Sequence, residues 1–272
     1  MRQEEIKYIL VADSHLSGDD SDPAADGFFA MLDRIASFIL ARKKGERSAL
    51  VFLGDIFELW IAVRGYENTC HERFLAWCRR YKEEFPVYFI EGNHEFFVTG
   101  KYGKDFTFCT ADRIERDGTV FLHGDLINLT DWKYRSLRIL LRNPFTAFLL
   151  YLFAGFGGKV VAEKIRMSLK ESNLENKKYF PAAFMEQRAY SLFKDKKGIL
   201  VAGHFHDKHI LSSENGLQHI YTLPAWNREN GYIGFLYSDG SITVCPWHNL
   251  PDRQREFQKS PEIKEKNSNE EL

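Results

Sequence analysis

The sequence predicts a layered α/β fold, in which buried strands alternate with amphipathic helices. Five runs carry the prediction: "YILVADSH", "ALVFLGD", "VYFIEGNH", "TVFLHGD" and "GILVAGHFH" are rich in β-branched, aliphatic and aromatic residues and end in glycine or polar residues. That is the pattern of strands covered on both faces. Between the first three lie "GFFAMLDRIASFILARKKG" and "HERFLAWCRRYKEEF", whose apolar residues recur at helical spacing. Strand alternating with helix implies right-handed crossovers in a layered sheet.

In chain order, the first run opens the core, the two helices follow the first and second runs, and the fourth run ends at His123. From about Leu126 to Lys197 the βα rhythm stops. This segment reads as helices divided by proline and glycine: "TDWKYRSLRILLR", "NPFTAFLLYLFAGFGG", "KVVAEKIRMSLKESNLENKKYF" and "PAAFMEQRAYSLFKDKKG". An insertion of that size ordinarily has a task of its own. The fifth run resumes the core, and "LQHIYTLPAW", "GYIGFLYSDG" and "SITVCPW" read as antiparallel strands finishing a sheet, with "SDG" as a hairpin turn. The expected division is therefore a core of residues 1–125 and 198–250, a helical lid of residues 126–197, and a charged, disordered tail of residues 251–272.

With 272 residues, 44% hydrophobic and 28% charged, the chain can bury a substantial core. A net charge of -1 excludes a protein whose whole surface is basic, so nucleic acid is not an expected partner. The four cysteines show no C-x-x-C spacing and the N-terminus does not resemble a secretory signal, so a cytoplasmic chain with four buried, reduced thiols is expected. No apolar run is long enough to span a bilayer.

The five runs deliver polar residues at their C-terminal ends: Asp13 and His15, Asp55, Asn93 and His94, His123, then His204 and His206. Any one of these alone is an ordinary turn residue. Five strand ends of this kind are not ordinary, because ligands in open α/β sheets bind at that edge. Imidazoles and carboxylates with one amide and no thiolate suit manganese, iron or zinc. The seven ligand-grade groups exceed one tetrahedral site. They suit two ions about 3.5–4 Å apart sharing a carboxylate, an arrangement that clamps an in-line displacement at phosphorus. Asp55 is central in the order and is the expected bridge.

The ordered series D-S-H, G-D, G-N-H, H-G-D, G-H-F-H resembles that of the calcineurin-like metallophosphoesterases. The resemblance implies a four-layer αββα sandwich of two mixed sheets, a centre of two divalent metal ions and hydrolysis of a phosphate ester or anhydride. It assigns Asp13, His15, Asp55 and His206 to one metal, and Asp55, Asn93, His123 and His204 to the other. His94 would face the phosphoryl group as the catalytic imidazole, stabilising charge or assisting the leaving group. Manganese is the expected metal, with iron and zinc as alternatives. His71, His209, His219 and His248 fall outside the pattern and are expected to be structural; Asp125 fits either a turn or the orientation of a metal-bound histidine.

Within the insertion, Phe145 to Phe156 is apolar around its whole circumference, and the basic residues Lys159, Lys164, Arg166 and Lys170 follow. Such a helix is either buried in its own protein or is a lid that meets acyl chains or a bilayer surface. The order "HGD", "DWKYRSLR", apolar segment, "KIRMSLKESN", "GHFH" and "LPAWN" is similar to the UDP-2,3-diacylglucosamine diphosphatases of lipid A biosynthesis. That resemblance implies water attack at the α-phosphorus of an amphiphilic UDP-diacyl sugar, giving UMP and 2,3-diacylglucosamine 1-phosphate. It also implies a monomer held peripherally at the cytoplasmic face of the inner membrane through the lid. By position, Asn93, His94, Tyr134, Arg166, Asn173 and Lys177 would contact the head group and Asp131 would support them; the lid residues fit a solvated helix face equally well. Two positions depart from that family: it carries Arg where this chain has His94, and "GHTHRP" where this chain reads "GHFHDK".

Overall fold

The computed structural model describes residues 5–18, 22–128, 132–154, 160–167, 180–227 and 231–250. It contains strand β1 (Ile6–Val11), helix α1 (Pro23–Leu40), strands β2 (Ala49–Phe52) and β3 (Trp60–Ile61), helix α2 (Thr69–Tyr81) and strands β4 (Val87–Ile90) and β5 (Glu95–Phe96). Helix α3 (Val98–Tyr102) and strands β6 (Phe108–Thr110), β7 (Arg113–Arg116) and β8 (Thr119–Leu122) follow. The insertion contributes α4 (Trp132–Leu141), α5 (Pro144–Phe153), helical residues 160–167 and α6 (Ala182–Phe193). Strands β9 (Gly198–Ala202), β10 (Ile210–Ser212), β11 (Gln218–Thr222), β12 (Tyr232–Tyr237) and β13 (Ile242–Pro246) complete it.

Among the described residues, two large sheets have the orders β13-β12-β1-β2-β4-β6 and β10-β11-β9-β8-β7, and β3 and β5 form a separate parallel pair. Both large sheets are mixed: in the first, β1, β2, β4 and β6 run parallel and β12 pairs antiparallel with both β1 and β13; in the second, β8, β9 and β11 run parallel between antiparallel β7 and β10. Side-chain alternation along the strands builds the layers. Ile9, Val11, Leu50 and Phe52 face α1 and α2, whereas Tyr8, Leu10, Val51 and Leu53 pack with Phe121, Val201 and Tyr221 of the second sheet. On the far side of that second sheet, Val120, Leu200 and Ile220 pack against Met185 and Ala189 of α6. The result is helix, sheet, sheet, helix. The fourth layer thus comes from the end of the segment expected to form the lid.

Local chemistry starts the helices where it should. Asp22 accepts from the Ala24 N–H at 2.9 Å, with Pro23 at the first helical position. Asn68 and His71 form a reciprocal capping box at the start of α2, and His71 lies beside Phe57 and Trp60, which accounts for its buried imidazole. His209 stacks on Phe180, His219 shares a hydrogen bond with Ser212, and His248 lies against Trp247, so the four remaining histidines have structural surroundings.

Two expectations need correction. The last three strands do not finish one sheet: β11 runs parallel to β9 in the second sheet, and the β12–β13 hairpin closes the first. Strand periodicity cannot tell which neighbour a strand will choose, because partner choice depends on the layer it must cover. The cysteines are all free, but Cys109 and Cys245 are only partly buried. The charged tail lies outside the described residues.

The order of layers predicts the cost of one deletion. Phe121 is fully buried between the sheets, against Tyr8. Phe121→Ala is expected to lower the unfolding free energy by about 3–5 kcal/mol in urea melts; a loss under about 1 kcal/mol would contradict packing between two sheets.

Candidate metal centre

Because β1, β2 and β4 are parallel and in register, their ends deliver Asp13, Asp55 and Asn93 to one edge. The ends of β8 and β9 bring His123 and His204 to the same edge from the second sheet. Two backbone bonds tie the first of these turns together: Asp13 N–H to the Gly54 carbonyl at 3.1 Å and His15 N–H to the Asp55 carbonyl at 3.0 Å. The sheets are joined by the His204 N–H, which donates to the Asp13 carboxylate at 2.8 Å.

Turning several side chains inward over so short a distance requires unusual backbone. Among the described residues, eight non-glycine residues have positive φ, and five of them are Asp13, His15, Asp55, His204 and His206. Each such residue costs of order 1–3 kcal/mol and persists only where the surroundings over-determine it. The glycines of the motifs have a steric reason. A Cβ on Gly92 would lie 2.1 Å from the Asp55 carboxylate, and one on Gly54, at φ +92°, would lie 2.6 Å from the Gly92 nitrogen.

All seven residues expected to bind metal are brought together. One Asp55 oxygen lies 3.4 Å from His123 Nε2, 3.7 Å from His94 Nε2 and 3.9 Å from His15 Nε2. His15 Nε2 faces His206 Nε2 at 3.1 Å, and His206 Nε2 is 3.6 Å from Asp13. On the other side, His123 Nε2 lies 2.9 Å from Asn93 Oδ1 and 3.2 Å from His204 Nδ1. Asp13, His15 and His206 form one group able to hold a cation; Asp55, His123 and His204 form another, and His15, Asp55 and His94 a third that overlaps both.

The donor set fits a metal. His123 Nδ1 donates to the Leu53 carbonyl at 2.8 Å, so its Nε2 lone pair points at the carboxylate, amide oxygen and imidazole around it. Converging lone pairs require a positive charge among them. When that charge is a proton, burial works against it, but the Asp55 carboxylate outweighs burial and pushes the His123 pKa up to about 10. Burial also opposes charge on Asp55, yet the His123, His94 and His15 imidazoles hold it well below the ordinary carboxylate range. Burial and the neighbouring His123 lower His204 to about 4, which leaves it a neutral ligand.

Sequence reasoning missed the groups that hold these ligands in place. Glu95, with no exposed surface, accepts from the N–H groups of Asp55, Ile56 and Gly92 at 2.7–2.8 Å. Burial and the adjacent Asp55 carboxylate push its pKa up to about 8. Its only sequence signal is a carboxylate within an otherwise apolar run after His94. His94 Nδ1 donates to the Glu58 carbonyl at 2.6 Å, which aims Nε2 at the cluster.

Besides Asn93 and His94, two of the expected head-group residues, both in the insertion, are described. The Tyr134 hydroxyl donates to Asp125 at 2.6 Å, while Arg166 lies 3.4 Å from the Glu58 carboxylate. Asp125 sits in a turn closed by the Ile127 N–H donating to the Gly124 carbonyl, as one of its two expected roles has it, and its carboxylate also accepts from Arg138, which anchors α4. Asp131, Asn173, Lys177, Lys159 and Lys170 lie outside the described residues.

The geometry predicts two outcomes. Gly92→Ala would press a methyl group on Asp55, and about a 10–100-fold loss of Mn2+ affinity is expected by calorimetry; unchanged affinity would contradict the close approach. A cation and a proton compete for the same His123 lone pair. Below about pH 10, affinity should therefore fall as pH falls, about tenfold per unit, and Mn2+ binding should release about one proton. Affinity flat between about pH 6 and 8 would refute that competition.

Comparison with known proteins agrees with this geometry. The calcineurin-like phosphoesterase family model matches residues 6–265. The chain is also similar to UDP-2,3-diacylglucosamine hydrolases. That of Escherichia coli O7:K1 is 25% identical over 88% of this chain and 99% of the relative, and that of Vibrio atlanticus 23% over 93% and 98%. The Shewanella loihica relative is 27% identical over 86% and 90%. With ligand-grade residues at five strand ends and a family match over nearly its whole length, this chain belongs to the calcineurin-like phosphoesterases and is a hydrolase of phosphoester or phosphoanhydride bonds.

Proposed function

We propose that the chain cleaves the pyrophosphate of UDP-2,3-diacylglucosamine at a dinuclear centre, releasing UMP and 2,3-diacylglucosamine 1-phosphate in lipid A biosynthesis. One observation carries this reading: the helices docked at the cluster expose a large apolar surface. Ile139 and Leu140 of α4 and Phe145, Phe148 and Phe153 of α5 are each more than half exposed, whereas Ala147 and Leu150 pack inward with Ile61, Val63 and Phe96. Exposed apolar area of this kind marks a binding surface rather than a core. Beside it, Lys164 is exposed and Arg166 partly exposed. Apolar and cationic surfaces adjoining a phosphoesterase site suit a substrate with acyl chains and an anionic head.

In this reading Asp13, His15, Asp55 and His206 hold one ion and Asp55, Asn93, His123 and His204 the other, with manganese the expected metal. When bound, the pair would lower the pKa of water and neutralise charge on the phosphoryl oxygens. His94, held through Nδ1 by Glu58, presents Nε2 to the phosphate. The departing sugar phosphate is a weakly basic leaving group, so His94 acts chiefly by stabilising charge. Arg166 and Tyr134, with Asp131, Asn173 and Lys177, contact the head group. The lid of α4, α5 and helical residues 160–167 receives the acyl chains at the cytoplasmic face of the inner membrane. Among the described residues no helix is long and apolar enough to cross a membrane; peripheral attachment as a monomer is part of the same proposal.

Incubating the protein with UDP-2,3-diacylglucosamine and Mn2+ in mixed micelles is expected to release UMP. His94→Ala should lower kcat by about 10²–10⁴-fold with Mn2+ content unchanged. Efficient turnover of a soluble nucleotide diester without any UMP from the lipid substrate would replace this reading with a soluble phosphodiesterase.

A further inference from the structure

We propose that Arg142 is a positioning residue, which holds the Asn93–His94 turn against the cluster and makes that placement depend on the docking of α4. The inference rests on the role of His94 given above.

The guanidinium of Arg142, largely buried, donates to the carbonyls of both Gly92 and Glu95, the residues flanking the Asn93–His94 pair. It also lies 3.3 Å from the Glu91 carboxylate. A planar fork can bridge two carbonyls and a carboxylate at once, whereas a lysine ammonium is a single point charge on a flexible stem. One helical turn earlier, Arg138 donates to the Asp125 carboxylate and the Ala111 carbonyl. Through Arg138 and, one residue past its C-terminal end, Arg142, helix α4 is thus pinned at three places: the loop after β4, which carries Asn93 and His94, the turn between β6 and β7 at Ala111, and the loop after β8, which follows His123. Strands β4 and β8 belong to different sheets. The inserted helix therefore fastens together two strand-end loops that the sheets do not pair. Glu95 fixes the same turn from its other side by accepting the Gly92 N–H. Between these ties, His94 Nε2 is directed at Asp55 and Asn93 Oδ1 at His123.

The test compares Arg142→Ala and Arg142→Lys with His94→Ala and the double variant His94→Ala/Arg142→Ala. All are assayed as full-length, Mn2+-loaded protein on bis(p-nitrophenyl) phosphate, with Mn2+ affinity followed by calorimetry. Both Arg142 variants are expected to lose about 10–100-fold in kcat with KM within about threefold, and to bind Mn2+ about tenfold more weakly through the displaced Asn93. With both saturated in Mn2+, the double variant should be no slower than His94→Ala, because the effect of Arg142 on kcat runs through His94 and its effect through Asn93 is on metal affinity. Guanidinium at millimolar concentration, but not ammonium, should restore part of kcat to Arg142→Ala. Should that variant fail to fold, Arg142→Lys carries the same test, since it keeps the charge opposite Glu91 and removes only the fork. Arg142 variants within about twofold of wild type beside a slow His94→Ala, or losses that multiply in the double variant, would overturn the positioning role and leave His94 standing. Wild-type turnover in His94→Ala would instead remove the reading on which it rests.

Discussion

The centre of this molecule is the buried Asp55 carboxylate and the positive charge it demands. Three imidazole nitrogens lie within 3.9 Å of one of its oxygens, and its other oxygen accepts the His94 N–H. A carboxylate so deeply buried is tolerated only beside a cation or a proton. The surrounding structure serves that requirement: strained backbone turns the ligands inward, glycines let two loops touch, and Glu95 fixes the N–H groups of both. The sandwich supplies the rigidity. Strand ends anchored in layers buried on both faces can hold five left-handed residues that an isolated loop would relax.

The insertion faces two ways. Toward the centre, α4 and the turn that ends it present Tyr134, Arg138 and Arg142, whose polar groups bind Asp125, Glu91 and backbone carbonyls of the strand-end loops. Away from it, α4 and α5 present Ile139, Leu140, Phe145 and Phe148 to solvent. Helix α5 is secured by a narrow stripe, with Leu150 in a small apolar cluster and the Tyr66 hydroxyl donating to the Leu150 carbonyl. The apolar helix is therefore neither wholly buried nor loosely attached. Among the described residues, only part of its circumference is packed against the protein.

The motif residues were legible in the sequence because hydrophobic runs mark strands and each run stops at a polar residue. Asp13, His15, Asp55, Asn93, His123, His204 and His206 could be selected by repetition alone, without coordinates. Glu95 could not: a carboxylate inside an apolar run reads as a surface residue of an edge strand until its three N–H donors are seen. Arg138 and Arg142 were equally hidden, since arginines four apart at the end of a helix ordinarily face water. The placement of β11 in the second sheet, and of α6 as its outer cover, likewise has no signature in local pattern.

By itself, then, the amino-acid order determined the long buried strands, where the five that carry the motifs end and which donors stand there, because periodicity and composition are local properties; the short strands β3, β5, β6, β7 and β10 carried no such pattern. Tertiary structure decided which strands share a sheet, which carboxylate sits among the imidazoles, and how an inserted helix reaches back to the turn beside them. Those outcomes depend on contacts between residues tens to hundreds of positions apart, and close approach and burial are settled only when the layers pack.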